Sequence, residues 1–109
     1  MVVDWRDALP ESGEPNKQRP AVIVGRSDLF HRGFDFLLVV PLTGDRPLRI
    51  VGATVEITPT KENLCSKTCY GLAWNVQTIP KRRARATKAR VTDAQLEQLR
   101  DQIARLVER

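Results

Sequence analysis

Phe36-Leu37-Leu38-Val39-Val40-Pro41-Leu42 decides the fold. A continuous apolar run of strand length, bulky or β-branched almost throughout, describes a strand buried on both faces; a strand with one wet face would alternate. Pro20-Ala21-Val22-Ile23-Val24 repeats the signal upstream, so two central strands are expected. Residues 25–35 join them and are polar apart from Leu29, Phe30 and Phe34, with room for one helical turn. Working outward, Val2-Val3-Asp4-Trp5 reads as a short strand. Residues 50–57, with Val51, Val55 and Ile57 among polar partners, read as a strand with one wet face. Residues 70–79 read as another, carrying Leu72, Trp74, Val76 and Thr78 on one side. Residues 8–19 gather Pro10, Ser12, Gly13, Pro15 and Asn16, a composition that breaks regular structure and marks a surface loop, a candidate lid.

The end of the chain changes period. Thr92-Asp93-Ala94-Gln95 has the form of a capping box, and Leu96, Leu99, Ile103, Leu106 and Val107 follow at three- and four-residue spacing. This is an amphipathic helix, whose apolar stripe is expected to cover the chain's own sheet or, alternatively, to form a seam with a partner. Strands followed by one helix give a fold that is mainly β with α: a small, strongly bent antiparallel sheet or barrel covered by a C-terminal helix. With 109 residues, 41% of them hydrophobic, one domain over residues 1–109 is expected.

No run approaches the roughly 20 apolar residues that span a bilayer, and the first seven residues carry charges where a signal peptide needs an apolar stretch. A cytoplasmic protein with no membrane partner is expected. The formal charge is +5, and the excess sits in one segment: residues 63–92 hold seven basic side chains and no acidic one, with Lys81, Arg82, Arg83, Arg85, Lys88 and Arg90 crowded together. That density attracts phosphates and makes binding salt-dependent, although a solvated basic loop has the same composition. Cys65 and Cys69 are too few to staple the domain, and with the single His31 far off in sequence they do not complete a zinc site, so no metal is expected. His31 itself reads as a loop residue with nothing near it to orient the ring. Phosphate-loop, dinucleotide, serine-hydrolase and zinc-protease motifs are missing from the sequence.

What remains is a carboxylate in the loop, Glu14, a guanidinium directly before one apolar run, Arg19, and a hydroxyl directly after the other, Thr43. On adjacent strands Arg19 and Thr43 would lie at sheet ends, where a guanidinium can hold a phosphate and a hydroxyl can bond its oxygen. Taken alone, the same residues also fit a solvated strand edge and a turn former.

A resemblance sharpens the choice. Asn16-Lys17-Gln18-Arg19-Pro20-Ala21-Val22-Ile23-Val24, then Ser27-Asp28, then Val39-Val40-Pro41-Leu42-Thr43, closely resembles the MazF/PemK/Kid family of toxin endoribonucleases. Gly71-Leu72-Ala73-Trp74-Asn75-Val76-Gln77-Thr78-Ile79 looks like the family's later strand, and Lys81-Arg82-Arg83 with the closing helix resembles its tail, so the likeness covers nearly the whole chain. It implies a small SH3-like barrel of Kid/PemK type with helical cover, a homodimer whose interface forms an RNA groove, and a cognate antitoxin that occupies that groove. The family's catalytic arginine falls on Arg19, its threonine on Thr43 and its loop glutamate on Glu14. The implied reaction is sequence-specific cleavage of single-stranded RNA without metal or cofactor, by attack of a ribose 2′-hydroxyl on the next phosphate, leaving a 2′,3′-cyclic phosphate. In those roles Arg19 neutralises the phosphorane and protonates the leaving oxygen, Thr43 holds a non-bridging oxygen and Glu14 accepts the 2′-proton.

RNA would lie along Lys17, Gln18, Asn75, Gln77, Lys81, Arg82 and Arg83, with Trp74 or Tyr70 available to stack a base; Trp74 fits a core position equally well. The chain also departs from the family pattern. It opens as though the first half-strand were missing, Trp74-Asn75 stands where Kid-like members carry an acid followed by glutamine, Gln77 replaces an arginine, and Gly13 falls where a loop histidine is expected. Two other readings follow: a catalytically weakened member that binds antitoxin or RNA, and a gyrase poison of CcdB type that keeps the fold without RNA chemistry.

Overall fold

A computed structural model describes residues 2–5, 19–30, 33–44 and 50–108. Among the described residues the strands are β1 (Val2–Trp5), β2 (Arg19–Ile23), β3 (Phe36–Thr43), β4 (Val55–Ile57), β5 (Cys69–Gly71), β6 (Gln77–Pro80) and β7 (Ala84–Ala86), followed by the helix α1 (Asp93–Leu106). Every pairing is antiparallel. The strands run in the order β4-β5-β3-β2-β1-β7, with β6 also paired to β3. The expected class, mainly β with a single C-terminal helix, is the one observed.

Both apolar runs form strands, and their alternation explains why neither needs a polar face. Val22, Val24, Val40 and Leu42 join Ile57, Ala89, Val91 and Leu99 in one buried cluster. Ala21, Val39 and Ile79 form a second, flanked by Ile23, Leu37 and Ala84. Successive residues of β2 and β3 thus enter different clusters, as a period of two demands when both sides are covered.

The helix closes the first cluster through Leu99, which is fully buried. Thr92 accepts a bond from Gln95 N at 3.1 Å while the Gln95 side chain accepts from Thr92 N at 3.0 Å, the capping box that the sequence predicts. The apolar stripe ends at Ile103: Leu106 and Val107 are exposed, so the last turn leaves the core.

Two expected strands are shorter than their patterns. Residues 50–53 form a turn, closed by Thr54 Oγ1, which donates to Ile50 O at 3.0 Å, with Gly52 at φ +84°, a conformation that favours glycine. Only Val55–Ile57 remains extended. The 70–79 segment is broken by a 3₁₀ turn at Ala73–Asn75. The break follows from β3. Pro41 directs its carbonyl to Leu72 N at 2.9 Å, so the N–H that proline lacks is missing on the side where β5 and β6 pair. Accordingly β6 pairs up to Val39, facing Gln77, and β5 pairs from Leu42, facing Gly71. Three steps along β3 meet six along the other chain, and the three-residue surplus is the length of that turn.

The strands β6 and β7 lie at different places in the strand order, yet only the 3₁₀ turn Lys81–Arg83 separates them in sequence. The sheet therefore curls back on itself. No ladder joins β6 to β7, so the barrel expected from the resemblance is an open, curled sheet among the described residues.

Candidate active site

The register sets the site. Ala21 faces Pro41 and Ile23 faces Val39, so the same register continued two residues puts position 19 opposite position 43 on the adjacent strand. Arg19 opens β2 and Thr43 closes β3. Across β1, Trp5 faces Arg19 on one side and Ala84 on the other. One row thus crosses four strands, from Ala84 through Trp5 and Arg19 to Thr43, spanning about 14 Å at ~4.8 Å per strand. On its other side Thr43 faces Tyr70, which is 8% exposed. Tyr70 is buried in register with the row, which removes it as a stacking platform.

Of the expected RNA-binding residues, Asn75 and Gln77 come together: Gln77 Nε2 donates to Asn75 Oδ1 at 3.2 Å and to Asn75 O at 3.4 Å. Gln77 faces Val39, four residues from Thr43 along β3 or about 13 Å at ~3.3 Å per residue. Trp74 lies in the same turn and is 48% exposed, so it is not core filler; its backbone N donates to Ala53 O at 3.1 Å. The basic turn reaches two places. Lys81 N donates to Asp35 O at 2.8 Å beside the start of β3, whereas Ala84, next to Arg83, pairs with Trp5 in the row of Arg19. Lys81, Arg82 and Arg83 therefore line the seam where the sheet curls, with Lys81 toward the end of β3 remote from Thr43. Glu14, Lys17, Gln18 and His31 lie outside the described residues.

Cys65 and Cys69 are free thiols, both half-buried. Burial, together with the neighbouring Cys69, pushes the Cys65 thiol up to about 11, which leaves it protonated and unreactive near neutrality. Among the described residues no three His, Cys, Asp or Glu side chains are grouped to hold a metal ion, and no helix is long and apolar enough to cross a membrane.

One residue near the row was not indicated by any sequence motif. The tip of Lys67, on the connection between β4 and β5, lies against Gly44, with Cε 2.6 Å from where a glycine Cβ would stand. The only trace of this in the sequence is the glycine directly after Thr43.

A family model described as PemK-like, MazF-like toxin of type II toxin-antitoxin system matches residues 2–107. No curated protein matches the sequence. Several solved structures share the fold. The Mycobacterium tuberculosis toxin MazF-mt6 is 19% identical, with 96% of this chain and 94% of that one aligned at a TM-score of 0.71. An endoribonuclease in complex with its cognate antitoxin, from a mycobacterial species, is 23% identical over 94% of this chain and 88% of that one, also at 0.71. The MazE-MazF structure from Deinococcus radiodurans is 19% identical over 97% and 90%, at 0.66.

Proposed function

Because the chain belongs to the PemK-like, MazF-like toxin family of type II toxin-antitoxin systems, we propose that it is an endoribonuclease acting on single-stranded RNA at the row that holds Arg19 and Thr43. Support comes from the register of β2 and β3, which, continued two residues beyond its last pair Ala21–Pro41, would bring positions 19 and 43 across from one another at neighbouring strand tips. A guanidinium and an alcohol from neighbouring strand tips suit one phosphodiester: the first offers paired N–H donors to the oxygens that gain charge, the second a single donor.

The ribose 2′-oxygen attacks the adjacent phosphorus, its proton passing to Glu14. The bond to the 5′-oxygen breaks, and that oxygen leaves with a proton supplied from Arg19. The products are a 2′,3′-cyclic phosphate and a 5′-hydroxyl. Since the nucleophile belongs to the substrate, DNA lacks it and is spared. Asn75, Gln77 and the exposed Trp74 offer base contacts beside the row, and the basic seam Lys81–Arg83, together with Lys17 and Gln18 of the sequence before β2, offers phosphate contacts. A cognate antitoxin and a second copy of the chain are the expected protein partners, in keeping with the antitoxin complexes among the structures that share its fold.

Growth arrest on expression separates a toxin from a member that only binds. Purified protein incubated with a long defined RNA under chelator, followed by mapping of the ends, then separates a ribonuclease from a gyrase poison. The reading expects discrete cuts bearing 2′,3′-cyclic phosphates; absence of cutting, or cutting that the chelator abolishes, overturns it.

A further inference from the structure

The connection between β4 and β5, residues 58–68, is tightly built for an exposed loop. Asn63, 4% exposed, clamps it. Its Oδ1 accepts from Thr60 N and from Cys65 N, each at 2.9 Å, and its backbone N donates to Thr60 Oγ1 at 3.0 Å. Its Nδ2 donates to Thr58 O at 2.8 Å and, at 3.5 Å, to Gln95 Oε1 at the start of α1. Beside this clamp Leu64 has φ +56°, a left-handed conformation that a bulky residue keeps only where its surroundings hold it.

This loop delivers Lys67 to the end of β3. Its Nζ lies 2.9 Å from the position a Cβ would take on Gly44, so the ammonium rests on the backbone directly after Thr43. With consecutive Cα atoms ~3.8 Å apart, Nζ is within about 8 Å of the Thr43 Cα. Any side chain at position 44 would displace the lysine tip. Among the described residues Lys67 has no carboxylate partner, and residues 63–92 contain no acidic side chain, so its charge is not neutralised from within its own segment.

We propose that Lys67 is a substrate-phosphate ligand, its ammonium holding a backbone phosphate of single-stranded RNA as the strand passes over Thr43. The proposal rests on the ribonuclease reading and adds to it a third cation-and-donor position on the β5 side of the row, opposite Arg19. An ammonium is a point charge with no preferred plane, so Lys67 fixes the strand's path without selecting a base.

The test compares wild type, Lys67→Met, Lys67→Arg and Arg19→Ala on a fluorogenic single-stranded RNA taken from a region that the wild type cuts. Methionine keeps an unbranched chain over Gly44 and removes only the charge, so a packing role would survive it. The expected result for Lys67→Met is a KM raised about fivefold to tenfold with kcat within about twofold, the loss of one charge-assisted contact. Its log kcat/KM should fall less steeply with log salt, by about 0.7, the value of one phosphate on a single strand. Lys67→Arg should restore both. Unchanged KM and salt slope in Lys67→Met, with cleavage lost in Arg19→Ala, overturns the role of Lys67 and leaves the ribonuclease reading standing. Absence of any wild-type cut on the long RNA from which the substrate is chosen, or cutting retained in Arg19→Ala, overturns both. Lys67→Gln supplies the same comparison should the methionine variant melt early by circular dichroism.

Discussion

Gly71 and Leu99 make the contact that ties α1 to the strand beside Thr43, and their double-mutant cycle tests the packing directly. A Cβ added at Gly71 would stand 2.6 Å from Leu99 Cδ2 and 3.7 Å from Leu42 Cδ2. Leu99 is fully buried in the cluster with Val22, Val40, Leu42 and Ile57, so it cannot swing into solvent. Gly71→Ala should therefore overpack the core and lose about 1–3 kcal/mol. Leu99→Ala removes three carbons, about 2.4 kcal/mol at ~0.8 kcal/mol per carbon, and the residual cavity brings the loss to about 3–4 kcal/mol. In the double variant the new methyl enters space that the leucine vacates, so the second substitution should cost less than it does alone. A coupling of about 1 kcal/mol or more is expected, well beyond the ~0.5 kcal/mol scatter of independent sites. Urea unfolding followed by circular dichroism reads all four proteins. Additive losses would mean that Leu99 does not face Gly71, and the account of how the helix supports the end of β3 would fall.

Thr92→Ala removes the acceptor for Gln95 N and should lower stability by about 1 kcal/mol, measured by the same unfolding curves, whereas Thr92→Ser should retain it. The raised Cys65 pKa carries a sign: the fold holds the thiol proton to a pH at which the unfolded chain has lost it. The associated stability is fully present below the ordinary value of 9.0 and is lost as the pH rises toward about 11. Thermal melts of wild type should decline over that window more than those of Cys65→Ala, and alkylation of Cys65 should stay slow until the same range is reached.

The parts of the fold legible from sequence are those where one local rule sufficed. Runs buried on both faces announce themselves as β2 and β3, and Thr92 with Gln95 marks the helix start without reference to anything distant. Residues 50–57 and 70–79 carry the spacing of longer strands because apolar spacing does not register a glycine at φ +84° or a missing N–H on a neighbouring strand. Leu106 and Val107 fit the helical stripe yet have no sheet left to cover. Arg19 and Thr43 stand out in the sequence because each abuts an apolar run, and the antiparallel pairing of β2 and β3 brings those two strand ends together. Lys67 could not be read this way. Its approach to Gly44 depends on a clamp at Asn63 and a turn at Leu64, which together set a direction that no residue spacing encodes. Trp74 suits core and surface equally by sequence, and the 3₁₀ turn that carries it leaves it at the surface.

The most direct measurement is cleavage of one defined single-stranded RNA by wild type, Arg19→Ala and Thr43→Ala, each shown folded by its melting curve, with a matched RNA carrying a single 2′-deoxynucleotide at the cut. The account predicts cutting by wild type alone, ends bearing a 2′,3′-cyclic phosphate, and no cutting at the deoxy position. Undiminished cutting by either folded variant, or cutting of the deoxy strand at the same bond, would contradict it.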